Sequence, residues 1–148
     1  MHRAMCRVTR VAAAFFVADA CTPTLPSAPS DLTEGVIIYE HANYLGASAH
    51  VLFNIDNLEK FKGPCRKTVD SGDGNSSTVE TWDDCISSIR VAPGWRATLY
   101  EHRDFKGWAA DIGEENAPNY QLVPGPCSKG TFNDCASSIR VFRKMVLP

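Results

Sequence analysis

Six short apolar runs, GVIIYE (35–40), SAHVLF (48–53), SSIRVA (87–92), RATLYE (96–101), GWAADI (107–112) and SSIRVF (137–142), are separated by polar stretches carrying glycine, proline and asparagine. Runs of this length, rich in β-branched and aromatic residues and punctuated at regular intervals, predict strands. Only NIDNLEKF (54–61) offers a turn or two of helix. The class is therefore all-β. Short antiparallel strands with one apolar face each predict a β-sandwich.

The runs belong to two copies of one pattern. YEHANYLG (39–46) matches YEHRDFKG (100–107) in frame, KGPC (62–65) answers PGPC (124–127), and WDDCISSIRV (82–91) answers FNDCASSIRV (132–141). The offset between copies falls from 61 residues (39 to 100) to 50 (82 to 132), so the first copy carries an insertion of about a dozen residues. VDSGDGNSSTVET (69–81) supplies it and, being rich in Gly, Ser, Asp and Thr without apolar periodicity, reads as a surface loop. Pro93-Gly94 connects the copies.

Each copy holds two cysteines, Cys65 with Cys85 and Cys127 with Cys135. Four cysteines allow three pairings, of which pairing within each copy is the most economical. Zinc is disfavoured, because there is no C-x-x-C and no histidine at ligand spacing. In YEHANYLG, Tyr39 and Tyr44 pack over a tight turn that Gly46 permits by tolerating positive φ.

These residues carry a family resemblance. YEHANYLG and YEHRDFKG fit the Y/F-x-x-x-x-F/Y-x-G signature of the βγ-crystallin superfamily, and DDCISS and NDCASS fit its N/D-N/D-x-x-S/T-S calcium signature. The match spans about residues 35 to 143 and resembles a single microbial-type domain of two Greek-key motifs, with the inserted loop as the main departure. The resemblance implies two calcium sites. Calcium takes six to eight hard oxygens, and acid, spacer, spacer, hydroxyl entering a strand supplies part of such a cage. Asp84, Asp134, Ser87 and Ser137 offer side-chain oxygen, Asp83 and Asn133 contribute through the backbone or by steering the loop, and Ser88 and Ser138 hold it by local hydrogen bonds. The resemblance adds the backbone carbonyls of Glu40 and Glu101, and implies that the sites are cross-braced, Asp84 and Ser87 with Glu101, Asp134 and Ser137 with Glu40. The competing reading is that Asp and Ser only satisfy backbone donors at a strand entrance. With few formal charges in each cage, affinity is expected at about 10⁻⁵ to 10⁻³ M. The first site is expected to be the tighter, because Asp83 stands where the second has Asn133.

Composition bounds the remaining possibilities. With 148 residues, 44% hydrophobic and net charge -2, the chain suffices for one core and lacks the dense positive face that nucleic acid demands. Residues 1–20 read as an export signal: Arg3, Arg7 and Arg10 precede VAAAFFVA, and Ala18-Asp19-Ala20 ends it. Cys21 would follow the cut and raises a lipid anchor as a variant, although Asp19 and Ala18 fit a lipobox poorly. Residues 21–34 form a Pro/Ser-rich tether, and 35–148 the domain, with motif one at 35–92 and motif two at 94–143. No segment approaches the roughly 20 apolar residues that cross a bilayer.

The expectation is a secreted, monomeric, non-enzymatic calcium-binding module. His41 and His102 stand at equivalent places in the repeats, and copied hairpins offer no asymmetric nucleophile, base and orienting group. Trp82, Trp95 and Trp108 are read as core or semi-buried packing residues, with Phe132 in the place of Trp82 and a sugar platform as the alternative. Asn75-Ser76-Ser77 is a glycosylation acceptor if the source is eukaryotic. The alternative function is an interaction protein of the same fold, a peptidase inhibitor or antimicrobial toxin, whose partner meets loop 69–81.

Overall fold

A computed structural model describes residues 32–72, 74–113 and 116–144. The predicted export signal, Cys21 and the tether up to residue 31 lie outside the described residues. The strands are β1 (Val36–His41), β2 (Leu45–Val51), β3 (Cys65–Asp70), β4 (Ser76–Thr81), β5 (Ser88–Val91), β6 (Trp95–His102), β7 (Lys106–Ile112) and β8 (Ser138–Arg143). All pairings are antiparallel: one sheet runs β2-β1-β5, a second β7-β6-β8, and β3-β4 stand apart as a two-stranded ribbon. Among the described residues the fold is all-β, as the apolar runs predict.

The two main sheets share one core. Val36, Ile38, Val51, Ile89 and Val91 meet Ala97, Leu99, Ile112, Ile139 and Val141, and Leu58, Trp82, Tyr120 and Phe132 join the same buried cluster. Neither motif completes its own sheet. The segment after β2 crosses over so that Ile55 pairs with Ile139 in β8, and the segment after β7 crosses back so that Ala117 pairs with Ile89 in β5. Asn54 and Asn116 finish the exchange, their side-chain oxygens accepting the N–H groups of Val141 and Val91 at 2.8 and 2.9 Å.

The repeated Y-E-H corner owes its form to the other motif as well. Asn43 and Tyr44 both adopt left-handed φ (60° and 62°), as do Asp104 and Phe105 (58° and 60°), a conformation that disfavours side chains by roughly 1–2 kcal/mol per residue. Three contacts offset it. The Asn43 N–H donates to the Pro118 carbonyl at 2.6 Å and the Asp104 N–H to Asp56 at 2.9 Å, both from the crossing segments. Ser88 Oγ accepts from the Tyr44 N–H and donates to the His41 carbonyl, and Ser138 does the same for Phe105 and His102. The Arg90 and Arg140 guanidiniums lie 4.2 and 4.4 Å from the Tyr44 and Phe105 ring centroids. The Ser-Ile-Arg of each repeat is thus a clasp on its own corner, reached over long sequence separation and not by local bonds as expected. Gly46 and Gly107, both at φ 78°, have no room for a Cβ, which would come 2.8 Å from the His41 or His102 ring.

Two expectations need correction, and the short helical turn is as expected. Residues 69–81 are not an irregular loop: most of them form the β3-β4 ribbon, in which Lys67 opposes Val79, Thr68 opposes Thr78 and Val69 opposes Ser77. Gly72 (φ 76°) and Gly74 (φ 81°) turn the tip, while the Thr and Val that flank it favour extended pairing. NIDNLEKF makes one 3-10 turn, Leu58–Lys60. Trp108 is not a packing residue but is 54% exposed, whereas Trp82 and Phe132 are buried at equivalent places.

The disulfides are Cys65–Cys85 and Cys127–Cys135, pairing within each copy. They close separations of 20 and 8 residues, for which chain entropy gives about 3 and about 2.5 kcal/mol. Urea unfolding should therefore find the Cys65→Ser/Cys85→Ser protein less stable than the Cys127→Ser/Cys135→Ser protein. A second outcome concerns Tyr120, which is fully buried with a hydroxyl that has no partner among the described residues, and burial pushes its phenol well above the usual range. Tyr120→Phe keeps the packing and removes the stranded group. It should raise stability by about 1 kcal/mol in the same measurement.

Candidate metal centre

The acidic loops 82–87 and 132–137 are fixed at both ends. Trp82 and Phe132 are anchored in the core, Cys85 and Cys135 are buried in their disulfides, and Ile86 and Ala136 are buried beside them. The loops face each other across the motif boundary. The Asp84 N–H donates to the Ala136 carbonyl at 3.1 Å, and the Asp134 N–H to the Ile86 carbonyl at 3.3 Å. This pairing holds both aspartates at left-handed φ, 52° and 50°, a region that Asp and Asn tolerate better than other side chains.

Ser87 and Ser137 enter β5 and β8 with their N–H groups on the Tyr39 and Tyr100 carbonyls at 3.0 and 2.9 Å. The ladders β1-β2 and β6-β7 shift register between Tyr39 and His41 and between Tyr100 and His102. Glu40 and Glu101 are thus bulged residues, left out of ladder pairing. Their carboxylates turn back over the hairpin to accept the Ala47 and Trp108 N–H groups at 3.1 Å, which leaves backbone oxygen as their contribution to any site.

Side-chain oxygens converge between motifs, in a combination different from the one expected. Ser87 Oγ donates to Asp134 Oδ1 at 2.9 Å. Ser87 therefore groups with Asp134 and with the β1 strand carrying Glu40, not with Asp84 and Glu101. By the same strand pairing Ser137 stands beside the β6 strand carrying Glu101, not Glu40. Spacing alone could not show this, because the partner of each serine depends on how the loops meet.

The equivalent aspartate is engaged elsewhere. Lys67, projecting from β3, places Nζ on Asp83 Oδ2 and 2.9 Å from Asp84 Oδ2. Burial works against the Lys67 charge, but the bonds to Asp83 and Asp84 outweigh it and raise its pKa. Burial also raises the Asp84 pKa, with the nearby Asp83 and Asp134 charges adding to it and Lys67 opposing. The Asp83 carboxylate is 3% exposed and its Oδ1 has no partner among the described residues. Asn133, at the matching position, also has a buried, unpartnered Oδ1, while its Nδ2 donates to Asp134 Oδ2 at 2.5 Å. With Lys67 counted, the Asp83/Asp84 loop carries one net negative charge, the same as the Asn133/Asp134 loop. The charge argument for a tighter first site does not hold.

Lys67 went unrecognised in the sequence, although CRKTVD alternates half-buried and exposed positions and puts Lys67 on the inward face with Cys65 and Val69. Among the described residues no group of three or more His, Cys, Asp or Glu could hold a metal. The oxygens that do gather are the Ser87 hydroxyl, the Asp134 carboxylate and the neighbouring Asn133 amide, a hard and weakly charged set of the kind that suits an oxygen-seeking cation and not zinc.

No family model and no curated protein matches the chain. Solved structures do share its architecture. A structure from the evolution of the eye lens βγ-crystallin domain fold matches with TM-score 0.53 at 20% identity, over 76% of this chain and 89% of that one. The N-terminal domain of Protein S matches at 0.51 and 21%, over 76% and 99%. A βγ-crystallin domain from Flavobacterium johnsoniae matches at 0.50 and 25%, over 76% and 98%. The fold of this chain is the βγ-crystallin fold.

Position 134 separates backbone from charge. Asp134→Asn keeps a residue that accepts left-handed φ and an oxygen for Ser87, and should change stability by less than about 0.5 kcal/mol. Asp134→Ala loses both and should cost about 1–2 kcal/mol, read by urea unfolding without added metal.

Proposed function

We propose that this βγ-crystallin-fold domain is a secreted, non-enzymatic calcium-binding module in which the metal braces the junction between the two motifs. The observation that carries the reading is the meeting of Ser87 Oγ and Asp134 Oδ1 from different motifs, beside the Glu40 bulge and the unpartnered Asn133 Oδ1. Ser87, Asp134 and the Glu40 carbonyl would hold calcium there, with Asn133 lending its free oxygen or shaping the loop. Asp84, Ser137 and Glu101 stand at the equivalent places of the other half, where the Lys67 ammonium already meets the carboxylates. Calcium supplies charge neutralisation and a fixed geometry at a junction already held by two backbone bonds, so its effect is on stability. Export agrees with the two disulfides, which persist in oxidising compartments, and with the leader read from residues 1–20.

A second reading rests on the β3-β4 ribbon, which stands outside both main sheets with much of its surface exposed. With the turn at Glu59 and Lys60 it walls an open groove lined by Lys62, Arg66 and Glu80. That charged surface would be the contact face of an inhibitor or toxin. Shortening the tip between Asp70 and Ser76 would abolish such activity and leave calcium binding intact.

Calcium at ten times its dissociation constant should add about 1.4 kcal/mol per site to the oxidised protein. A melt followed by circular dichroism should rise by roughly 5 °C in millimolar calcium, and much less in equal magnesium, which demands a stricter octahedron. No shift in melting and no heat of binding would remove the calcium reading.

A further inference from the structure

We propose that Lys67 is a resident cation at the Asp83/Asp84 loop, so that the chain binds one divalent metal, at the Ser87/Asp134 half, and not two. The inference rests on the calcium reading above and concerns how this chain divides its two half-sites.

The two motifs start from the same sequence spacing. Lys67 follows Cys65 by two residues, and Lys129 follows Cys127 by two. Both cysteines are tied to the residue after the loop aspartate, Cys85 after Asp84 and Cys135 after Asp134. Each disulfide therefore holds a lysine near an acidic loop. The backbone then separates the copies. In the first, the inserted ribbon makes Cys65–Asp70 an extended strand, and strand alternation points Lys67 inward with Cys65. In the second, which has no insertion, the chain reverses in a short turn with Lys129 at φ 61°. Lys129 is exposed there beside Asn133 and forms no ion pair among the described residues.

A metal at the Asp83/Asp84 loop would have to displace an ammonium bonded to both carboxylates. It would also have to break the pairing of a buried Asp83 whose other oxygen is already without a partner. A second cation there would sit beside the Lys67 ammonium and be repelled by it, while the Asp83 carboxylate, 3% exposed, would lose its charge partner if Lys67 left. At the other half the side-chain hydrogen-bond partners of Asp134 among the described residues are neutral, Ser87 Oγ and Asn133 Nδ2, and no ammonium is bonded to it. Both can rotate away or offer an oxygen. The insertion thus turns a duplicated pair of half-sites into one metal site and one internal ion pair.

Isothermal calorimetry with calcium chloride on the oxidised full chain tests this. The wild-type protein should bind one equivalent, Lys67→Arg one, and Lys67→Gln two, with the calcium-induced rise in Tm about doubled in Lys67→Gln. Independently of whether that variant folds, Asp84→Asn should leave the wild-type stoichiometry and Kd within about twofold, while Asp134→Asn should abolish binding. Two equivalents bound by wild type, or loss of binding in Asp84→Asn, overturns the proposal and leaves the calcium reading standing. One equivalent bound by Lys67→Gln and none by wild type supports Lys67 as a resident cation but overturns calcium at Asp134. No binding to any of these proteins removes both.

Discussion

The structure depends on a reciprocal exchange of backbone between two copies of one motif. Ile55 completes the sheet of the second copy at Ile139, Ala117 completes the sheet of the first at Ile89, and the acidic loops trade bonds through Asp84 to Ala136 and Asp134 to Ile86. Each left-handed corner is secured by a carbonyl from the opposite crossing segment, Pro118 for Asn43 and Asp56 for Asp104. One motif alone would keep the strain of its corner and lose these bonds, and it would expose a sheet face that now lies in the common core. Each motif is therefore completed by the other.

That constraint accounts for the repeated residues better than any local rule. Trp82 and Phe132 fill the core, the cysteines fasten the loops, and the second serine and the arginine of each Ser-Ile-Arg clasp the corner of a hairpin more than 30 residues earlier. Gly63 and Gly125, the glycines of the two Gly-Pro-Cys segments, lie where a Cβ would come 2.5 Å from the Thr81 backbone or 2.7 Å from that of Phe132. Ser87, Asp134 and Asn133 are left with oxygens at the junction that no such task occupies. The repeat is mostly architecture, with a small set of oxygens available for chemistry at its centre.

The strands, the aromatic corner with Gly46 and the pairing of cysteines within each copy were legible because each is written over a few neighbouring residues: alternation and turn residues, Tyr39 with Tyr44, one pair of thiols per copy. The partners of Ser87 and Ser137 were not, since they follow from how two loops pack across a boundary, and no spacing encodes that. The β3-β4 ribbon was hidden by composition. Gly72, Gly74 and the flanking Ser71, Ser76 and Ser77 give the segment a loop's average character, whereas Thr68, Val69, Thr78 and Val79 supply the cross-strand pairs that order it. Asn54 and Asn116 look like ordinary turn asparagines until the strands whose N–H groups they satisfy are brought beside them.

The same logic separates two lysines that sequence alone would treat alike. Lys67 and Lys129 sit two residues after equivalent cysteines, and both can be carried toward an aspartate by a disulfide. What differs is φ and ψ: extended along a strand at Lys67, left-handed in a turn at Lys129. A dozen inserted residues convert that turn into a strand and swing a side chain through a large angle without altering the motif on either side. A buried carboxylate such as Asp83 then gains a charge partner where water cannot compensate it, and there an ion pair is held because breaking it strands a charge. Insertion into one half of a pseudo-symmetric domain changes the electrostatics of that half while the shared core and the crossing segments keep the geometry of both. Asymmetry of charge can thus arise in a fold whose two main sheets keep the same strand arrangement.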